Sequence, residues 1–83
     1  MLFRSIYLKK QMSIQAIEVF RDLVQKDPQA STYRYHLGMA LYQKGDTPHA
    51  AQELQTALKY HPGADERQKI QDLLARAGGA PSR

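Results

Sequence analysis

Cysteine, tryptophan and asparagine are all absent from the 83-residue chain. Without cysteine there is no disulfide to staple the fold and no thiolate to hold zinc or iron, and a reducing, cytoplasmic setting is the natural expectation. The three histidines, His36, His49 and His61, have no acidic or thiol companions at metal-ligand spacing, so no metal site is expected. Long hydrophobic runs are missing too. No stretch approaches the ~20 apolar residues that a membrane span needs. The opening MLFRSIYLKKQM breaks its apolar positions with Arg4, Lys9 and Lys10, and no cleavage site follows, so no secretory leader is legible. The chain also lacks paired acids, a nucleophile beside a base, and a glycine-rich phosphate loop; Gly38, Gly45 and Gly63 stand alone. These absences exclude the common enzyme classes, and no catalytic residue or cofactor is expected.

The formal charge is +4, with seven basic and three acidic side chains in residues 1–44 against five of each in residues 45–83. Such a bias can signal a nucleic-acid partner. Here no run of Lys or Arg exceeds two residues, which argues against direct nucleic-acid binding.

What the chain does contain is self-similarity at a period of 34 residues. Sliding it by that amount places Phe3 over Leu37, Tyr7 over Leu41, Ala16 over Ala50, Phe20 over Leu54, Leu23 over Ala57 and Pro28 over Pro62. Apolar residues match in kind, and a proline closes each block. Each unit resolves into two helices. In residues 31–64, Leu37, Gly38, Ala40 and Leu41 follow helical spacing to Lys44, and Gly45-Asp46 turns the chain. Thr47 is then the expected cap of a second helix with Pro48 at its first position, carrying Ala50, Leu54, Ala57 and Leu58 until Pro62-Gly63 stops it.

The earlier unit repeats this grammar in shortened form. A helix over about 2–10 presents Phe3 and Tyr7, and Ser13 caps a second helix with Ala16, Ile17, Phe20, Leu23 and Val24 that Asp27-Pro28 ends. A final helix opens on a capping box of Asp65 and Gln68, carries Ile70, Leu73, Leu74 and Ala77, adds an Asp72–Arg76 pair, and stops at Gly78-Gly79. Residues 80–83 are expected to fray. The expected organisation is a truncated unit over 1–30, a complete unit over 31–64 and a capping helix over 65–79, about five helices in all.

On these residues the chain resembles the tetratricopeptide-repeat family. Residues 31–64 carry its pattern as Leu37-Gly38, Leu41, Gly45, Ala50, Leu54, Ala57 and Pro62, and residues 1–30 carry the later part as Tyr7, Ala16, Phe20 and Pro28. Arg34 departs from it where the family prefers tryptophan or another bulky residue, and Leu23 stands where it prefers alanine. The resemblance implies an all-α superhelix of antiparallel helix pairs, with no catalytic centre, that binds a peptide or helix of another protein in a concave groove lined by the first helix of each pair. The equivalent positions here are Thr32, Tyr35, His36, Met39 and Tyr42, with Lys69 from the final helix. The family's carboxylate clamp for chaperone tails uses lysine and asparagine. This chain has no asparagine, so a chaperone tail is not the expected ligand.

Tyr35, Met39 and Tyr42 fall on one stripe of their helix, separate from Leu37 and Leu41. That stripe is either a groove floor or a packing face against neighbouring helices. The N-terminal end carries Phe3, Ile6 and Tyr7 among other large apolar side chains, more than one shielded face can hide. Homodimerisation through those three residues is therefore expected. The competing expectation is a spacer or self-assembling fragment of a longer repeat protein.

Overall fold

A computed structural model describes residues 2–78, with side chains from Met12 onward. Four α-helices follow one another: α1 (Leu2–Lys26), α2 (Ser31–Lys44), α3 (Thr47–Lys59) and α4 (Ala64–Arg76). Each packs antiparallel on the next, and α4 also touches back on α2. The all-α architecture matches the sequence reading. The helix count does not, because the two short helices expected before residue 27 form one continuous helix of 25 residues.

The period itself explains the difference. The turn between α2 and α3 rests on Gly45, whose φ of 104° lies in the left-handed region that glycine enters at little cost. Its counterpart 34 positions earlier is Gln11, followed by Met12 in place of Asp46; neither favours such a turn. The counterpart of Gly38, the residue that lets α2 and α3 approach closely, is Arg4. A helix with arginine there cannot fold back tightly on its successor. Ser13 is accordingly no cap. It is buried inside α1, and its hydroxyl donates to Gln43 Oε1 at 3.2 Å.

Two contacts fix how α1 lies on α2. Ser13 meets Gln43, and the Phe20 ring stacks on His36 with centroids 5.2 Å apart. Antiparallel helices in that register place residues 12–25 of α1 beside α2. Residues 2–11 then run on past the end of α2 by about 15 Å.

Helix ends are satisfied locally, though not always by the residues expected. Asp46 rather than Thr47 caps α3, accepting from the His49 backbone N–H. The first turn of α4 has Gly63 as its cap and no side-chain cap bond. Gln68 donates instead to Asp72 Oδ1 at 3.1 Å, and among the described residues Asp72 forms no ion pair with Arg76. Helix α4 ends at Arg76, just before the stop expected at Gly78, which takes a positive φ. Gly79, the tail over 80–83 and the side chains of Phe3, Ile6 and Tyr7 lie outside what is described.

The interior forms two clusters. Ile17, Leu37, Ala40, Leu41 and Ala50 join α1, α2 and α3, with Phe20, Val24 and Tyr42 against them. Leu54, Ala57, Ile70 and Leu74 join α3 and α4, with Tyr35 and Leu73 against them. Gly38 sits where the clusters meet. A Cβ added there would lie 2.7 Å from Leu54 Cγ and 3.4 Å from the Ala50 carbonyl oxygen, so the missing side chain is what sets the α2–α3 spacing.

Candidate protein-binding face

Between α2 and α4 lies an open depression of about 230 Å³ lined by Tyr35, Met39, Lys69, Asp72, Leu73 and Arg76. Three of the six expected groove residues meet there: Tyr35, Met39 and Lys69. The other three point elsewhere. Thr32 donates its hydroxyl to Glu66 Oε1 at 3.2 Å, and Ser31 donates to the same oxygen, which ties the start of α2 to the start of α4. His36 donates through Nδ1 to the Thr32 carbonyl at 2.8 Å and lies against Phe20 of α1. Tyr42 packs on the α1–α2–α3 cluster.

The stripe of Tyr35, Met39 and Tyr42 is thus divided. Tyr35 covers the edge of one core, Tyr42 covers the edge of the other, and Met39 stands between them, half-buried. Packing and binding surfaces overlap at both tyrosines. Met39 carries the least structural duty of the three.

Asp72, Leu73 and Arg76 line the depression without having been expected there. The period holds the missing signal. Adding 34 to Tyr35, Met39 and Tyr42 gives Lys69, Leu73 and Arg76, one face of α4. The two helices therefore present equivalent rows: aromatic and thioether on α2, cationic and aliphatic on α4. An apolar floor of Tyr35, Met39 and Leu73 with Lys69, Asp72 and Arg76 at its margin can hold an extended or helical segment by area and charge. Methionine lets such a floor fit several shapes.

Among the described residues no cluster of three or more His, Asp or Glu side chains could hold a metal ion, and no buried side-chain polar atom lacks a partner. No described helix is long and apolar enough to cross a membrane. Of the histidines, His49 is exposed and partnered. Its Nδ1 lies 2.8 Å from Asp46 Oδ2.

The profile for the tetratricopeptide repeat matches residues 8–77. No curated protein and no solved structure matches the chain.

Proposed function

Because the chain belongs to the tetratricopeptide-repeat family, we propose that it is a non-catalytic scaffold that binds a peptide or helix of a partner protein across the α2–α4 face. The observation that carries this reading is the pairing of equivalent rows, Tyr35 and Met39 on α2 with Lys69 and Leu73 on α4, around one depression. The ligand is a segment with an apolar anchor for the floor and polar or acidic groups for Lys69 and Arg76; a chaperone carboxylate tail is not proposed. The same reading keeps residues 31–64 as the complete unit and 65–79 as its cap, with a reducing, cytoplasmic setting.

Selection of a displayed peptide library on the wild-type chain, followed by titration of the selected peptides, tests it. Met39→Glu and Leu73→Glu place a charge on the floor and should each weaken binding by at least about tenfold, or ~1.4 kcal/mol. Equal affinity for folded wild type and both variants would remove the α2–α4 face from the proposal. Tyr35→Ala and Tyr42→Ala are poorer probes, because both rings also cover core.

A second reading is self-association through the N-terminal half of α1, where Phe3, Ile6 and Tyr7 lie. It is favoured by the length of α1 that runs past α2 with no helix of its own chain set beside it among the described contacts. Sedimentation equilibrium over a wide concentration range separates monomer from dimer.

A further inference from the structure

The depression between α2 and α4 is short and bounded at both ends. Its apolar floor is Tyr35, Met39 and Leu73, and Tyr35 to Met39 spans only about 6 Å along α2. At the start of the two helices Ser31 and Thr32 both donate to Glu66 Oε1 at 3.2 Å, which closes that end with polar groups. At the other end the next member of the α2 row, Tyr42, packs into the α1–α2–α3 cluster, and its counterpart on α4 is the charged Arg76. An amphipathic helix docks through apolar residues at i, i+3, i+4 and i+7, a row of about 10 Å. The floor is little more than half that long. Its space of about 230 Å³ is also below the ~300–1,000 Å³ of a small-molecule pocket, and suits one large side chain.

The margin of the floor is cationic. Lys69 and Arg76 are exposed, and among the described residues neither forms an ion pair. Asp72 shares the margin, but its Oδ1 already accepts from Gln68 at 3.1 Å. Along α4, Lys69 lies about a turn before Leu73 and Arg76 about a turn after it, so the two cations flank the floor about 10 Å apart along the axis. We infer that the partner is an extended segment of another protein with one large apolar side chain between two acidic residues, whose flanks Lys69 and Arg76 read; this rests on the scaffold reading above and gives the partner's chemistry. An extended chain advances about 3.3 Å per residue, so acids about three residues apart reach both cations with the anchor between them. Each carboxylate gains a charge-assisted hydrogen bond from a cation that has no acid of its own chain to pair with. Because the cations stand on opposite sides of one anchor, each specifies one flank, and together they reject basic segments.

One displayed random-peptide library, selected in parallel on wild type, Lys69→Glu and Arg76→Glu, tests this. Both positions are exposed, and circular dichroism checks that each variant is folded. Wild type should enrich a single large apolar residue with an acid on each side. Lys69→Glu should turn the acidic preference basic on one flank only, and Arg76→Glu on the opposite flank. Titrated with the wild-type consensus peptide, each reversal should weaken binding about threefold to tenfold, the scale of one exposed charge pair lost and one repulsion gained. High salt should shrink that loss. Enrichment of an apolar i, i+3, i+4, i+7 pattern would show a helical partner and overturn the inference. Flank preferences unchanged by either reversal, in peptides still sensitive to Met39→Glu, would overturn it too and leave the scaffold reading standing. No enrichment, or enriched peptides indifferent to both Met39→Glu and Leu73→Glu, would overturn both.

Discussion

Arg34 shows how one side chain does the work of the bulky residue that the family prefers at its position. Its Nε donates to the Pro28 carbonyl at 2.9 Å, its Nη1 pairs with Glu53 Oε1 at 3.0 Å, and its guanidinium lies 5.7 Å from the centre of the Tyr60 ring. The α1–α2 turn, the middle of α3 and the Tyr60 cap that follows α3 meet on one planar group. Arg34→Ala should cost about 2 kcal/mol, the scale of charge-assisted hydrogen bonds in partly screened sites. Arg34→Lys should recover less than half of it, because an ammonium cannot bridge at those angles and stack at once. Urea unfolding of the three proteins checks both statements, and full rescue by lysine would reduce the site to a simple charge contact.

Asp46 offers a test by pH at the same scale. Bonding from the His49 side chain, and then from its backbone N–H, holds this carboxyl below its usual value. A lowered folded-state pKa means that the stabilisation is complete above the ordinary carboxylate range, about pH 4, and is lost as pH falls through the lowered value. The stability gap between wild type and Asp46→Asn should therefore narrow on acidification, and a gap constant down to the acid transition would contradict the assignment.

Among the elements, α2 and α3 depend on the small residue between them. Glycine inside a helix normally weakens it by about 0.5–1 kcal/mol relative to alanine, so Gly→Ala in mid-helix is usually favourable. At Gly38 the sign should reverse, because the new methyl would lie 2.7–2.8 Å from two carbons of fully buried Leu54. Overpacking of this kind costs about 1–3 kcal/mol. Leu54→Ala alone should cost about 2–5 kcal/mol by leaving a cavity. The double variant should cost clearly less than the sum, since each change relieves the other. Additive effects would mean that the two side chains do not compete for the same space. Much of this pair was legible beforehand: the bounds of α2, the turn at Gly45, and the core roles of Leu37, Leu41, Ala50, Leu54 and Ala57 all follow from period and turn chemistry. The break expected at Ser13 was misread because serine caps helices and also hides within them. Only the helix's other contacts, or the missing glycine at Gln11, decide between the two. At the binding face, Tyr35, Met39 and Lys69 were recognisable by register, whereas the diversion of Thr32 to Glu66 and of His36 to Phe20 depends on how neighbouring helices are set. No single-helix pattern carries that information.

For the whole molecule, a stack stabilised by neighbours predicts uneven protection. The molecule measures 40 × 34 × 21 Å, and α1 is about 37 Å long. The middle of the stack is covered on both sides: α2 lies between α1 and α3, and α3 between α2 and α4. The C-terminal end is anchored by fully buried Ile70 and by Glu66 accepting from both Ser31 and Thr32. Among the described contacts no such partner is seen for the first ten or so residues of α1, and an isolated helical segment that short is marginal in water. Native-state hydrogen exchange in dilute solution should therefore rank the amides of α2 and α3 as the most protected, with α4 and the second half of α1 next. Those of residues 5–10 should be almost unprotected. Raising the protein concentration should leave the first three groups nearly unchanged and slow exchange across residues 5–10, because the proposed self-association through that half of α1 supplies it with a neighbour. Strong protection there in the dilute monomer would show that the segment is held by its own chain, and would remove the physical reason for pairing.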